Sequence, residues 1–183
     1  MSRCAKFCLS SLLLCLAIAI PAARANDPAA VPIGGTLPET TLHGLNGPPR
    51  KLGSFRGKPL IINVWASWCG PCRQEMASLE RLAWHDEARH FAIIGISTDD
   101  DASEAAKVLK DTNATISHFI DQDLQMENML GASRLPLTVL VAADGRVLEK
   151  IYGARQWDSA QSLRLIEETF HLEPGSALRN AAR

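Results

Sequence analysis

The feature that most constrains the fold is an apolar run, residues 59–66, that leads within three residues to a cysteine pair. The run is Pro-Leu-Ile-Ile-Asn-Val-Trp-Ala, without the polar alternation of a half-exposed strand, so it predicts a strand buried on both faces. After Cys69 and Cys72, apolar residues recur at three- and four-residue spacing. This spacing predicts an amphipathic helix over about 71–89, with Glu75 on its polar face. The pair therefore lies where a buried strand passes into a helix.

Two thiols at this spacing can close a disulfide or open to a dithiol. At the start of a helix the first thiol, Cys69, lies at unpaired backbone N–H groups, whose partial positive charge favours a thiolate over a thiol. Cys69 is therefore the predicted nucleophile. Cys72, one turn further along and sterically covered, is predicted to resolve the mixed disulfide that Cys69 forms with a partner.

The first 25 residues have the composition of a secretory signal peptide. Arg3 and Lys6 give a charged start, residues 9–20 are almost all apolar, and residues 23–25 (Ala-Arg-Ala) offer a small-residue cleavage site. Three of the five cysteines lie in this segment, so cleavage before Asn26 leaves only the pair described above. The apolar segment is shorter than the roughly 20 residues needed to span a bilayer. An uncleaved anchor facing the periplasm is the alternative.

Removal of residues 1–25 takes away three basic residues and no acidic one, so 158 residues remain with 16 basic and 20 acidic side chains. The resulting charge of −4 gives no indication of nucleic-acid binding. The length suits one domain with a single core, and a monomer is expected. An exported compartment is oxidising, so an exposed cysteine pair would stay a disulfide unless a partner supplies electrons.

The domain organisation follows from composition and periodicity. Residues 26–37 are rich in proline, alanine and glycine and predict a flexible leader; a domain over 38–173 and a frayed tail over 174–183 follow. The order of elements predicts an α/β fold with a central mixed sheet covered by helices on both faces. The predicted elements are an edge hairpin (40–43 and 50–52), strands at 59–66 and 91–97, helices at 71–89 and 102–111, a strand at 117–120, a helix at 123–130, a hairpin (137–142 and 146–152) turning at Asp144-Gly145, and a helix at 157–171.

The chain resembles the exported thiol–disulfide oxidoreductases of TlpA, ResA and DsbE type, which have the thioredoxin fold. The resemblance covers about residues 38–172. It rests on residues 57–72 (Gly-Lys-Pro-Leu-Ile-Ile-Asn-Val-Trp-Ala-Ser-Trp-Cys-Gly-Pro-Cys), on Pro136 before a strand, on Asp144-Gly145, and on the extra strand and helix between 117 and 130. It implies protein disulfide substrates, a membrane-linked electron donor and a catalytic cycle without a bound cofactor.

The resemblance also implies which residues meet a substrate. Pro136 corresponds to a cis-proline opposite the disulfide, whose missing N–H leaves the preceding Leu135 free to pair with an extended substrate strand. Trp68 is expected to shield the disulfide and to offer a partner an apolar contact. Gly70 and Pro71 set the stiffness and redox poise of the pair, and because this dipeptide resembles that of reducing thioredoxins, a reductase is predicted.

The proton acceptor is the open question of this site. Ordinary thioredoxins carry a buried Asp six residues before the first cysteine, whereas Asn63 stands there in this chain and cannot take the proton that Cys72 loses. The proton must go to water or to another acid. The resemblance implies an acidic residue just after the second main strand, where Asp99 and Asp100 stand, although a helix N-cap is the ordinary role of Asp at such a position.

Three other functions remain as alternatives. A peroxiredoxin-like thiol peroxidase would carry Pro-x-x-x-Thr-x-x-Cys, which the residues before Cys69 do not match. A copper-site metallochaperone of thioredoxin fold has three residues between its cysteines, whereas this pair has two. None of the five histidines has metal-ligand spacing to the pair, and no metal site is predicted. A purely structural disulfide is the third alternative, but so short a loop stabilises little.

Overall fold

A computed structural model describes residues 30–85 and 90–172, so the predicted signal peptide and the tail at 174–183 lie outside the described residues. Within the described ranges, no helix combines the length and the apolar composition that crossing a membrane requires. The elements described are strands β1 (Thr41–Gly44), β2 (Arg50–Lys51), β3 (Leu60–Trp65), β4 (Ala92–Ser97), β5 (Ser117–Ile120), β6 (Leu137–Val141) and β7 (Val147–Tyr152), a 3-10 turn (Leu52–Phe55), and helices α1 (Gly70–Ala83), α2 (Ala102–Asp111), α3 (Gln125–Leu130) and α4 (Ala160–Phe170).

The strands form one mixed sheet in the order β2-β1-β5-β4-β3-β6-β7. Strands β3, β4 and β5 are parallel, whereas β6 pairs antiparallel with β3, and β7 pairs antiparallel with β6. The short hairpin of β1 and β2 extends the sheet beyond β5, which confirms the predicted edge hairpin. Because β6 runs against β3, its first residue, Leu137, lies beside Val64 near the carboxyl end of β3.

Strand β3 is buried along its whole length, as its unbroken apolar pattern predicts. Its even-numbered side chains, such as Ile62, pack into a core that includes α3 and Leu37. Ile61 on the opposite face packs against α1 and α4, and Trp65 packs where α1 meets α2. Helices therefore cover both faces of the sheet, which confirms the predicted layers.

Helices α1 and α4 differ most from their predicted bounds. Helix α1 ends at Ala83 rather than near residue 89, and Trp84 follows as its C-cap. Helix α4 begins at Ala160 rather than at Trp157, because Ser159 caps it by accepting a hydrogen bond from the N–H of Ser162. Trp157 is instead fully buried.

The segment 31–37 lies against the sheet, which differs from the flexible leader expected for 26–37. Val31 donates a backbone hydrogen bond to Met129, and Gly34 donates one to Val147. Leu37 donates to Gly145, and its side chain is 2% exposed. Glycine and proline predict a loop here, but the backbone partners come from α3, β7 and the β6–β7 turn, all distant in sequence, so local composition gives no sign of them.

Candidate active site

The cysteine pair lies at the carboxyl end of the central strand, where the chain turns into a helix. After β3 ends at Trp65, a turn closes with a hydrogen bond from the Cys69 N–H to the Ala66 carbonyl. Cys69 is the N-cap of α1, and a disulfide joins it to Cys72. Pro71 stands in the first turn of the helix, where its missing N–H removes no helical hydrogen bond.

The two sulfurs have different surroundings. The Sγ of Cys69 accepts a hydrogen bond of 3.2 Å from the Cys72 N–H, so it lies at the positive end of the α1 dipole. Cys69 is 5% exposed, whereas Cys72 is fully buried. An incoming sulfur therefore meets Cys69 first, and only Cys69 has a helix N-terminus to stabilise its thiolate once the disulfide opens.

The predicted substrate residues come together beside the disulfide. Trp68 is 71% exposed, and half-buried Leu135 packs against the apolar group that contains both cysteines. The Leu135–Pro136 peptide bond is cis, as the resemblance implies. The Pro136 carbonyl accepts a 2.9 Å hydrogen bond from Gly153, which fixes this loop beside the end of β7. The backbone groups of Leu135 form no hydrogen bond with any described residue, so they can pair with an added strand.

Glu75 is buried, which corrects its expected place on the polar face of α1. Its side chain is 2% exposed, and its carboxylate accepts hydrogen bonds from the Asn63 amide (2.7 Å), the Arg155 N–H (3.0 Å) and the Trp157 indole (3.2 Å). Burial raises the pKa of Glu75, and these three hydrogen bonds oppose that rise. Glu75 follows Cys72 by three residues and therefore lies on the same side of the helix.

Sequence reasoning missed Glu75 because helical periodicity alone assigns a carboxylate to the exposed face. Two signals pointed to it. The spacing Cys72-x-x-Glu75 puts the acid one turn from the second cysteine. In addition, Asn63 in a buried strand carries two N–H donors that require acceptors, and the structure supplies Glu75 and the Thr138 hydroxyl.

The two aspartates predicted as proton acceptors occupy different environments. Asp99 is 4% exposed and accepts hydrogen bonds from the Ser67 N–H (2.9 Å), the Ser67 hydroxyl (2.6 Å) and the Ser97 hydroxyl (2.7 Å). It therefore holds the turn that carries Trp68 and Cys69. Asp100 is exposed. The N-cap of α2 is the next residue, Asp101, which accepts a hydrogen bond from the Ser103 N–H.

No group of three or more His, Cys, Asp and Glu side chains that could hold a metal ion occurs within the ranges 30–85 and 90–172. His118, in β5, is buried, and its Nδ1 accepts a 3.1 Å hydrogen bond from the Trp65 indole. This imidazole therefore packs in the core beside the active-site helix and holds the Trp65 indole.

A disulfide at the N-terminus of the helix that follows a central strand, with a cis-proline loop beside it, defines a thiol–disulfide oxidoreductase of thioredoxin fold. The Redoxin family model matches residues 32–164, and the chain belongs to this family. The chain is 30% identical over 142 residues to the thiol-disulfide oxidoreductase ResA of Geobacillus thermodenitrificans, an alignment that spans 78% of this chain and 82% of ResA.

Two further proteins agree with this assignment. The chain is 34% identical over 133 residues to the thiol:disulfide interchange protein DsbE of Pseudomonas aeruginosa, which spans 69% of this chain and 72% of that protein. A crystal structure of a candidate DsbE-type interchange protein from Chlorobium tepidum superposes with a TM-score of 0.69 at 26% identity, covering 76% of this chain and 98% of that one. The predicted fold class and the predicted oxidoreductase activity are thereby confirmed.

Proposed function

We propose that this protein reduces disulfide bonds of exported partner proteins in the periplasm. The observation that carries the proposal is the asymmetry of the pair, since Cys69 caps α1 and Cys72 is fully buried one turn from Glu75. The composition of residues 1–25 and the names of the relatives, ResA and DsbE, support an exported thiol–disulfide exchange protein. The Gly70-Pro71 dipeptide favours the reducing direction.

The first step is attack by the Cys69 thiolate on a disulfide of the partner. A bond forms between Cys69 Sγ and one partner sulfur, and the partner's S–S bond breaks, so its second sulfur leaves as a thiolate. The helix N-terminus stabilises the attacking thiolate, and the N–H of Cys72 already points at that sulfur. The partner's strand pairs with the backbone of Leu135, and Trp68 offers it an apolar face.

The second step closes the Cys69–Cys72 disulfide. Cys72 gives its proton to the Glu75 carboxylate and attacks Cys69 Sγ, and the partner's first sulfur leaves and takes up a proton from solvent. Two electrons have then passed to the partner, whose second sulfur also takes up a proton from solvent, and the proton from Cys72 stays on Glu75 until solvent removes it. Glu75 suits this role because its carboxylate is fixed by three hydrogen bonds and burial raises its pKa. Asp99, which accepts hydrogen bonds from Ser67 in the turn before Cys69, is the second candidate for this role.

The oxidised pair must be reduced again before another turnover. We propose a membrane-linked dithiol protein as the donor, which exchanges with Cys69 by the same two steps in reverse and leaves with the disulfide. The scheme needs only one copy of the protein, because each reaction joins it to one partner through a single sulfur. No bound cofactor enters either step.

The proposal is tested with single cysteine variants in an exported extract. Cys69→Ser is expected to abolish disulfide exchange, because the sulfur that a partner reaches first is then missing. Cys72→Ser is expected to accumulate partners bound to Cys69 through a mixed disulfide, which a non-reducing gel displays and which dithiothreitol releases. An active Cys69→Ser variant, or a Cys72→Ser variant that captures nothing, would contradict the proposal. Rapid peroxide consumption by the reduced protein would favour the thiol peroxidase instead.

A further inference from the structure

Three arginines lie close in sequence to the residues of the site, and two of them lie on its β7 side. Arg73 follows Cys72 directly, Arg134 precedes Leu135, and Arg155 lies three residues beyond the end of β7. Arg73 and Arg134 are exposed, and Arg155 is half-buried. None of the three forms an ion pair with any residue of the described ranges. Three positive charges without an ion-pair partner among the described residues therefore lie near the place where a substrate strand would lie.

Two of these arginines are held in place by aromatic rings. The Arg134 guanidinium lies 5.0 Å from the ring centroid of Tyr152, and the Tyr152 hydroxyl donates a 2.7 Å hydrogen bond to the Gly131 carbonyl at the start of the same loop. The Arg155 guanidinium lies 5.9 Å from the ring of buried Trp157. Stacking of this kind restricts the side chain and leaves the N–H groups of the guanidinium available to a ligand. The positive side of the site is thus preorganised.

On the β5 side of the disulfide, the loops at the carboxyl ends of the parallel strands carry negative charges. The β4–α2 loop and the first turn of α2 carry exposed Asp100, Asp101 and Glu104, and the β5–α3 loop adds exposed Asp123. Since both sides flank the cysteines, the edge has a charge gradient from β5 to β7. A peptide that lies across this edge meets opposite charges on its two sides, and it gains most when its own charges are complementary.

We propose that the partner segment is an extended peptide with acidic side chains beside its cysteine, facing Arg134 and Arg155. This inference rests on the proposed function and names the substrate class of the same site. Backbone pairing with Leu135 fixes the strand, and side chains two residues apart then point to the same side, about 7 Å apart. Carboxylates there meet guanidinium groups, which bind them through two parallel hydrogen bonds.

The test uses three peptides of one sequence, each with its cysteine joined to 2-mercaptoethanol as a mixed disulfide. The residues flanking the cysteine are glutamate, glutamine or lysine. The reduced protein is expected to react with the glutamate peptide about 5- to 10-fold faster than with the glutamine peptide at low salt, and with the lysine peptide more slowly. The ratio of glutamate to glutamine rates is expected to fall as salt is raised to 0.5 M.

Arginine variants locate the effect. Arg134→Gln and Arg155→Gln are each expected to lower the glutamate-to-glutamine ratio. Arg56→Gln removes the same charge near the β6–β7 turn, at the opposite end of the sheet, and is expected to leave the ratio unchanged. Equal rates for the three peptides, or a ratio that the Arg134 and Arg155 variants leave at the wild-type value, would overturn the inference while the proposed function stands. Failure to reduce any of the peptides would overturn the proposed function itself.

Discussion

Glu75 is the acid closest in sequence to Cys72, and its burial suits the proposed role of proton acceptor. Its hydrogen-bond donors come from three places: β3, the loop after β7, and an indole at the end of that loop. These contacts keep the side chain inside while burial raises its pKa. A base with a raised pKa retains a proton longer near neutral pH and returns it in the reverse reaction.

Replacing Glu75 with glutamine is expected to slow closure of the Cys69–Cys72 disulfide by about 100-fold, the usual scale for loss of a general base. Closure in the wild-type protein should also show a pH inflection above the ordinary range of glutamate, which the variant loses. The measurement is stopped-flow tryptophan fluorescence of a preformed mixed disulfide at several pH values. Glu104→Gln, exposed on α2, is the control. An unchanged rate and pH profile in Glu75→Gln would make water the acceptor.

Asp99 and Asp100 are adjacent in the sequence, yet substituting them should change the unfolding free energy by very different amounts. Asp99→Ala leaves the Ser67 N–H and two serine hydroxyls without their acceptor in a buried place, so it is expected to cost about 2–4 kcal/mol of unfolding free energy. Asp100→Ala changes an exposed side chain and should stay within about 0.5 kcal/mol. Urea unfolding with a constant m-value measures both.

A second variant separates the two roles open to Asp99. If Asp99 took the proton from Cys72, Asp99→Asn would remove a pH inflection from disulfide closure. If Asp99 positions the turn instead, Asp99→Asn lowers stability and slows attack by Cys69 but keeps the pH profile of closure. Comparison with Glu75→Gln under the same conditions therefore identifies which carboxylate is the acceptor.

One residue from each of the parallel strands β3, β4 and β5 contributes to a packed cluster beside the active-site helix: Trp65, Gly95 and His118. His118 of β5 lies opposite Gly95 of β4, and its ring packs edge-on against Trp65 of β3 with 5.5 Å between centroids. A Cβ at Gly95 would collide with this imidazole. His118 Nδ1 is the acceptor for the Trp65 indole, so the ring must be neutral to keep that hydrogen bond. The glycine in a buried strand therefore makes room for the histidine that holds Trp65.

This packing predicts a loss of stability in mild acid. Burial lowers the pKa of His118 to about 4, below its ordinary value of 6.5. Because the unfolded chain binds a proton on this histidine more readily than the folded protein does, the free energy of unfolding is highest above pH 6.5. It falls by about 3 kcal/mol as the pH drops from 6.5 to about 4. Urea unfolding across this range measures it. His118→Gln should flatten this part of the curve, whereas His43→Gln, at an exposed position, should not.

An NMR titration of the His118 ring in the wild-type protein gives an independent check. Protonation near the ordinary histidine value would contradict the prediction, whatever the stability of the glutamine variant. A ring that remains neutral down to about pH 4 would confirm that the folded core excludes the charged form.

Most of the fold could be predicted from the sequence, because the pattern of apolar residues and the turn residues mark most of its strands and helices. Strand β3 shows as an apolar run since both of its faces are buried, and the β6–β7 hairpin shows through Asp144-Gly145. Glu75 and the segment 31–37 could not be placed in this way. The position of each depends on partners distant in sequence: Trp157 and Asn63 for the first, Met129 and Val147 for the second. Sequence patterns assign polar side chains and glycine-rich segments to the surface. In these two cases, hydrogen bonds to residues distant in sequence hold them against the core instead.

The direction of electron flow is a property of the whole molecule, because it depends on which redox state folds more stably. Closing the four-residue loop between Cys69 and Cys72 restricts the unfolded chain and stabilises the oxidised protein by about 2 kcal/mol, a small contribution for a disulfide. In the reduced protein, a Cys69 thiolate at the N-terminus of α1 contributes only about 0.3–1 kcal/mol. The first contribution is larger, so the folded pair should hold its disulfide more firmly than an unfolded chain does.

The oxidised protein is therefore expected to be about 1 kcal/mol more stable than the reduced protein at pH 7, which lowers the reduction potential by about 20 mV relative to the unfolded chain. Urea unfolding with and without a reductant gives the difference directly. A Cys69→Ser/Cys72→Ser double variant should unfold identically in both conditions and exclude an effect of the reductant itself. A reduced form more stable than the oxidised one would reverse the assignment, because such a pair gives its disulfide to partners rather than removing theirs.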